Sequence, residues 1–160
     1  GSQIEEHLAT RSNCGLFDVS HMAAVDVIGS DAKAFLQKVV ANDVNKLKNN
    51  GQALYGCLLN EAGHVIDDLI VYRLDPNYRI VINAGTAATD LIWLNQQAAT
   101  FTNLQLIPRR SDLPNQQNPQ GMIAVQGPKA LSIIANAIPE LANACQELGV
   151  FICPLVGAFF

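Results

Sequence analysis

At 160 residues, with 49% hydrophobic and 15% charged side chains, the chain has the make-up of a core-forming protein of one domain or two small interleaved ones, and not of a disordered one. A net charge of -4, with lysine and arginine scattered apart from the Arg109–Arg110 pair, argues against the basic footprint of a nucleic-acid binder. No apolar run reaches the ~20 residues of a membrane helix, the start is no signal peptide, and Cys14, Cys57, Cys145 and Cys153 lack CxxC spacing, which fits reduced, buried thiols.

Taken in chain order, Ser2 to about Asn13 reads as a helix. Ser2 with Glu5 forms a capping box, and Ile4 and Leu8 make an apolar stripe. Cys14 to Met22 is extended and continues as Ala24 to Ile28 with rough alternation. A second helix starts at Gly29-Ser30-Asp31 and runs to about Ala41, with Phe35, Leu36, Val39 and Val40 facing inward. Asn42 to Gly51 is a polar connection whose lysines, Lys46 and Lys48, form a solvated surface.

Gln52 to Asn60 and Val65 to Leu74 read as antiparallel strands joined by a short loop containing Gly63. The turn Asp75-Pro76-Asn77 leads to a third strand, Tyr78 to Asn83, completing a meander. The middle strand carries Asp67 and Asp68. Side chains alternate along a strand, so Asp68 shares its face with Ile66, Ile70, Tyr72 and Leu74, while Asp67 shares the other with Arg73. Asp is a poor strand former, and an unpaired carboxylate on an apolar face is costly. Asp68 is therefore the stronger candidate for a functional carboxylate. The alternative, that both aspartates are merely solvated near an exposed strand end, stays open on residue patterns alone.

Thr86 to Ala99 is helical, with Thr86 a candidate cap, and Leu104 to Ile107 is a short strand. Pro108 to Gln120 is a polar loop, too hydrophilic to bury. Met122 to Val125 is another strand, closed by Gln126-Gly127-Pro128. Pro128 opens the next helix, and Ala130 to Ala135 and Pro139 to Leu148 are helical. Hairpin strands interrupted by helices give an α+β fold, mainly an antiparallel sheet with flanking helices. The apolar end, Gly149 to Phe160, is the kind of sequence expected inside a longer protein. The chain has no Gly-rich phosphate loop, HExxH, GxSxG or zinc-type cluster.

Four segments carry a family resemblance: Leu16 to Met22, Asn60 to Gly63 followed by Val65 to Val71, Asn83-Ala84-Gly85, and Ala124 to Pro128. In order and spacing they resemble the amino-terminal part of the aminomethyltransferase (T-protein) family of the glycine cleavage system, across nearly the whole chain. Iron–sulfur assembly relatives, which carry a Lys-Gly-Cys-Tyr type signature, are a poorer match. The resemblance implies transfer of a one-carbon unit from the aminomethyl-lipoyl arm of H-protein to tetrahydrofolate, with release of ammonia. It implies lipoylated H-protein and tetrahydrofolate as partners, no nucleic acid or membrane partner, no metal, and a bacterial cytoplasmic or mitochondrial matrix location.

It also implies roles for individual residues. Asp68 matches the carboxylate that meets the folate nitrogen. Met22, Tyr55, Val81 and Asn83 match pocket positions, with Asn83 offering both donor and acceptor to the pterin. Read without the resemblance, Met22 and Val81 fit ordinary core, Tyr55 is one of several strand residues, and Asn83 fits a turn or cap. His21 is read as shaping the pocket and not as a base, His64 stands where the family commonly has Gly, and His7 is exposed. The family continues well beyond this segment, so the piece is expected to be inactive alone. A folate-binding relative without transferase activity is the alternative reading.

Overall fold

The computed structural model describes residues 1–147. The apolar Gly149–Phe160 end, Cys153, and the last residue of the helix expected to reach Leu148 lie outside them. The chain divides into two compact units, one made of residues 1–19 with the segment from Met122 onward, and one of Ser20–Gly121.

In the first unit, helix α1 (Gln3–Ser12) begins as its sequence dictates. The Ser2 side chain accepts from the Glu5 amide while the Glu5 carboxylate accepts from the Ser2 amide, the reciprocal capping box. The apolar stripe of α1 is exposed at Ile4 and Leu8, and no residue of the helix is buried. Strands β1 (Gly15–Asp18) and β7 (Ile123–Gln126) pair antiparallel, Gly15 opposite Gln126 and Asp18 opposite Ile123. The ladder is extended by a bond from the Val19 amide to the Met122 carbonyl. Helices α4 (Ala130–Ala137) and α5 (Ala142–Glu147) follow, separated by a single 3₁₀ turn at Pro139–Leu141. Pro128 precedes the α4 cap, Lys129, and does not itself open the helix.

The second unit is a five-stranded sheet in the order β3-β4-β5-β2-β6, in which every neighbouring pair is antiparallel. Its strands are β2 (Ala23–Ile28), β3 (Ala53–Leu59), β4 (Val65–Leu74), β5 (Asn77–Ile82) and β6 (Gln105–Pro108). The expected meander is β3-β4-β5. Its first loop turns on Gly63, whose φ of 79° lies in the left-handed region open to glycine. The Asn60 side chain accepts there from the amides of Ala62 and His64. The fold class is α+β, as the alternation of hairpins and helices implied.

Helices α2 (Ala32–Val39) and α3 (Ala87–Ala98) line one sheet face. Phe35, Leu36 and Val39 of α2 and Leu91 and Leu94 of α3 pack with Val25, Val27, Leu69, Val71, Ile80 and Ile82 from the strands. Each such residue leaves water almost completely, worth about 1.5–3 kcal/mol apiece in transfer terms. Two polar stretches also feed this core. Val44 and Leu47 are buried from the connection after α2, and Leu113 from the loop after β6. That loop therefore does not lie wholly at the surface. Of the cysteines, Cys145 is buried, but Cys14 and Cys57 are only half-buried thiols.

The register assigns the two faces of the sheet. Pairs Leu58–Asp67, Gly56–Leu69 and Leu54–Val71 lie toward the helices. Pairs Cys57–Asp68 and Tyr55–Ile70, with Val81 opposite Ile70, lie on the other face. There Asp26 of β2 stands opposite Arg79 of β5 and binds both Arg79 and Arg109.

Candidate functional site

The site is built at the end of β4, where the chain leaves the Gly63 loop. Asp68 projects to the face away from the helices and is half-buried. Tyr55 stands on the same face of the neighbouring strand, opposite Ile70, and the Asp68 carboxylate raises its pKa. Val81 is buried on the same face beside Ile70. Met22 is half-buried and precedes Ala23, which pairs with Ile82, so it lies at the same end of the sheet as Asn83. The structure thus gathers Asp68, Tyr55, Val81, Asn83 and Met22 at one end of one sheet.

Asn83, just past β5, ties the two aspartates together. Its Nδ2 donates to Asp67 Oδ1 at 3.0 Å, to the Asp68 carbonyl at 3.2 Å and to Asp68 Oδ1 at 3.2 Å. The amide hydrogens are therefore spent on the protein. What Asn83 can still offer a ligand is its carbonyl oxygen, an acceptor, and not the donor-plus-acceptor pair that its residue type allows.

Asp67 is the opposite of a bystander. It points to the helix side of the sheet, and Arg73 is no companion to it. Six residues along a strand is about 20 Å, and Arg73 instead binds Asp75 and the carbonyls of Leu47 and Lys48. Asp67 Oδ2 accepts from the Thr86 hydroxyl at 2.5 Å. Thr86 occupies the N-cap position of α3, yet its side chain makes no capping bond to the helix. Burial pushes the Asp67 pKa up, but hydrogen bonds from Thr86, Asn83 and the Asp68 amide hold it below the usual carboxylate range.

Beneath this layer lies Asp90, in the first turn of α3 and fully buried. Burial, reinforced by the negative charge of Asp67, pushes its pKa up to about 6. Sequence reading missed Asp67, Thr86 and Asp90 as members of the site. The signal for Asp90 was present: Ala87, Asp90, Leu91 and Leu94 recur at helical spacing and are all buried, so Asp90 falls within the apolar stripe.

His21 contributes its backbone carbonyl, which accepts from Arg110, and its ring is exposed. His7 and His64 are exposed as well. Among the described residues no cluster of three or more His, Cys, Asp or Glu side chains is arranged to hold a metal ion. No helix among them is long and apolar enough to cross a membrane.

Residues 1–151 match the family described as the GCVT N-terminal domain. The chain belongs to this family. The curated relatives include an aminomethyltransferase of Chromobacterium violaceum, 50% identical over 151 residues that make up 94% of this chain and 39% of the relative. An aminomethyltransferase of Ralstonia pickettii is 51% identical over 87% of this chain and 38% of its own length. Among solved structures, the glycine cleavage system aminomethyltransferase T from Bartonella henselae superimposes with a TM-score of 0.73 at 36% identity, over 83% of this chain and 34% of that one. This chain with a GCVT N-terminal domain therefore spans about two fifths of the length of the curated relatives it matches.

Proposed function

We propose that this chain is the part of a glycine cleavage aminomethyltransferase that presents the carboxylate at which the one-carbon transfer occurs. The whole protein would take the aminomethyl group from the lipoyl arm of H-protein and pass its carbon to tetrahydrofolate. Ammonia and a dihydrolipoyl arm are the other products. The observation that carries the reading is a half-buried carboxylate, Asp68, held on the sheet face away from the helices by Asn83, in a chain of this family.

The chemistry requires such a group. Folate N10 is a weakly basic aryl amine, and a fixed acceptor orients its N–H toward the lone pair of Asp68. The carboxylate then takes the proton as the new C–N bond forms and balances the positive charge on nitrogen. Asn83 fixes the orientation of that carboxylate, so little reorganisation remains at the moment of transfer. Val81 and Met22 supply an apolar wall for the pterin end, and the Asn83 carbonyl accepts one of its N–H groups. Tetrahydrofolate is a co-substrate here and lipoylated H-protein the donor. A cytoplasmic location goes with this reading, since the relatives named above are bacterial.

The test is transfer from aminomethyl-loaded H-protein to tetrahydrofolate by the full-length protein, wild type against Asp68→Asn. The expected result is a loss of turnover of about 100- to 10,000-fold, the usual size of a general-base contribution, with unaltered thermal unfolding. Activity within a few-fold of wild type would remove Asp68 from this role. An inactive wild type would move the protein to the folate-binding relatives that do not carry out the transfer.

A further inference from the structure

The proposed reaction uses Asp68 and leaves another carboxyl group of the same region without a task. Asp90 is fully buried, and neither of its side-chain oxygens has a hydrogen-bond donor. Buried polar groups are almost always paired, and a buried ionised carboxylate without a donor is among the costliest arrangements a fold can hold. Its polar neighbours are Thr86 and Asp67. Thr86 has one hydroxyl proton and gives it to Asp67 Oδ2. Asp67 has no proton to give while it is ionised, and it accepts further bonds from Asn83. Among the described residues the titratable group acting on Asp90 is Asp67 of β4, and no cation acts on it from any neighbouring element.

One proton resolves the arrangement. As a carboxylate, Asp90 faces acceptors and finds no donor. As an acid, it has an O–H and an acceptor beside it, the Asp67 carboxylate. We propose that Asp90 and Asp67 form a proton-sharing carboxyl pair, Asp90 the acid and Asp67 the acceptor, and that this pair positions Asn83 against Asp68. The chain of contacts runs from Asp90 to Asp67, from Asp67 Oδ1 to Asn83 Nδ2 at 3.0 Å, and from Asn83 Nδ2 to Asp68 Oδ1 at 3.2 Å. With the proton in place, Asp67 is saturated by donors and its geometry is fixed. Without it, two like charges share a dry site, Asp67 is pushed aside, and the amide that orients Asp68 goes with it.

Asp90 is thus a positioning residue that acts through two others and touches no substrate. The burial that raises its pKa to about 6 is consistent with an acid that deprotonates near neutrality. The inference rests on the reading of Asp68 given above for its catalytic consequence. The proton sharing itself stands on the burial of Asp90 without a donor and on the Thr86 proton going to Asp67.

The experiment uses the full-length protein as wild type, Asp90→Asn and Asp90→Ala. Asparagine keeps the shape and supplies a permanent donor toward Asp67, whereas alanine supplies none. The first readout is infrared difference spectroscopy between about pH 5 and about pH 8, a range that brackets the titration of a raised carboxyl group. Wild type is expected to show the carbonyl band of a buried carboxylic acid disappearing as pH rises, and Asp90→Asn to lack it. The second readout is kcat and KM with loaded H-protein and tetrahydrofolate over the same range. Asp90→Ala should lower kcat by about 10- to 100-fold with little change in KM, the size typical of a group that orients a reacting one. Asp90→Asn should recover most of that loss, and it should lack the wild-type decline in kcat on the alkaline side.

Absence of the band in wild type, or an asparagine variant as impaired as the alanine one, would overturn the pair. Should Asp90→Ala fail to fold, the band and the pH profile of Asp90→Asn decide alone. A full-length protein without transferase activity would sink the functional reading, while the infrared band would still decide whether the proton is shared.

Discussion

Asp26 offers the most direct measurement of how the sheet face carrying Asp68 is held together. It stands opposite Arg79 in the β2–β5 ladder and is 8% exposed. Arg79 binds it through Nε at 2.6 Å and Nη2 at 3.2 Å, and Arg109 through Nε at 2.8 Å and Nη2 at 2.6 Å. Four N–H donors therefore converge on two oxygens, joining β2, β5 and the loop after β6. Replacing Asp26 by Asn keeps the volume, removes the charge, and turns one acceptor into a donor aimed at an arginine. Each charge-assisted bond is worth about 1.5–3 kcal/mol and the four are not additive; removing one partner of a buried ion pair costs about 3–5 kcal/mol. The arginine side chains keep 26% and 16% of their exposure, so part of their charge is rehydrated in the variant. The expected loss is then about 2–4 kcal/mol, read from the urea midpoint at constant slope. Arg79→Ala and Arg109→Ala should each cost less, because Asp26 retains the other arginine. The double variant Asp26→Asn/Arg79→Ala should cost less than the sum of its parts. A loss below about 0.5 kcal/mol for Asp26→Asn, the level of an ordinary surface change, would refute the claim that this cluster organises the face.

Stability should also depend on pH through Asp90. Its folded value of about 6 lies above the unfolded carboxyl value of about 3.9, so the folded state holds the extra proton between them. The stabilisation, roughly 2–3 kcal/mol, is complete below about pH 4 and is lost as pH rises through about 6. Thermal unfolding of wild type should accordingly weaken across this window relative to Asp90→Asn, and parallel curves for the two would contradict the assignment. Gly29, with φ of 118°, takes a conformation closed to side chains, and a methyl group there would overlap the Asn103 carbonyl oxygen. Gly29→Ala should cost at least about 2 kcal/mol in chemical denaturation, and a neutral outcome would mean that the turn into α2 relaxes freely.

Legibility in the sequence followed the length of the pattern. The β3–β4 hairpin and α2 were readable because six or more residues repeated one period, and the glycine at the loop fixed where the chain turned. Val44 and Leu47 escaped because a 3₁₀ turn of three residues is too short to show a period, and the polar residues around them dominate the composition. Leu113 escaped for the same reason: a single apolar side chain in a polar loop says nothing about direction until the fold supplies a cavity for it.

The site divides along the same line. Asp68 could be singled out because alternation along a strand is a local rule, and the register bears out its face. Asp67 was weighed by the residue on its own strand and face, Arg73, when its partners were Asn83 and Thr86, 16 and 19 residues onward in the chain. Thr86 has the residue type and position of a helix cap, and local rules assign its hydroxyl to the helix. It turns away because an ionised Asp67 is a better acceptor for the hydroxyl proton than a first-turn amide is a donor. Asp90 demanded the opposite judgement. Its helical spacing with Ala87, Leu91 and Leu94 puts it in the buried stripe, where an ionised acid without a donor is costly. A conflict of that kind, between a local pattern and the cost of burial, points to a residue kept for what it does to its neighbours. The neighbour proposed for it, Asp67, shares Asn83 with the carboxylate that alternation had already chosen.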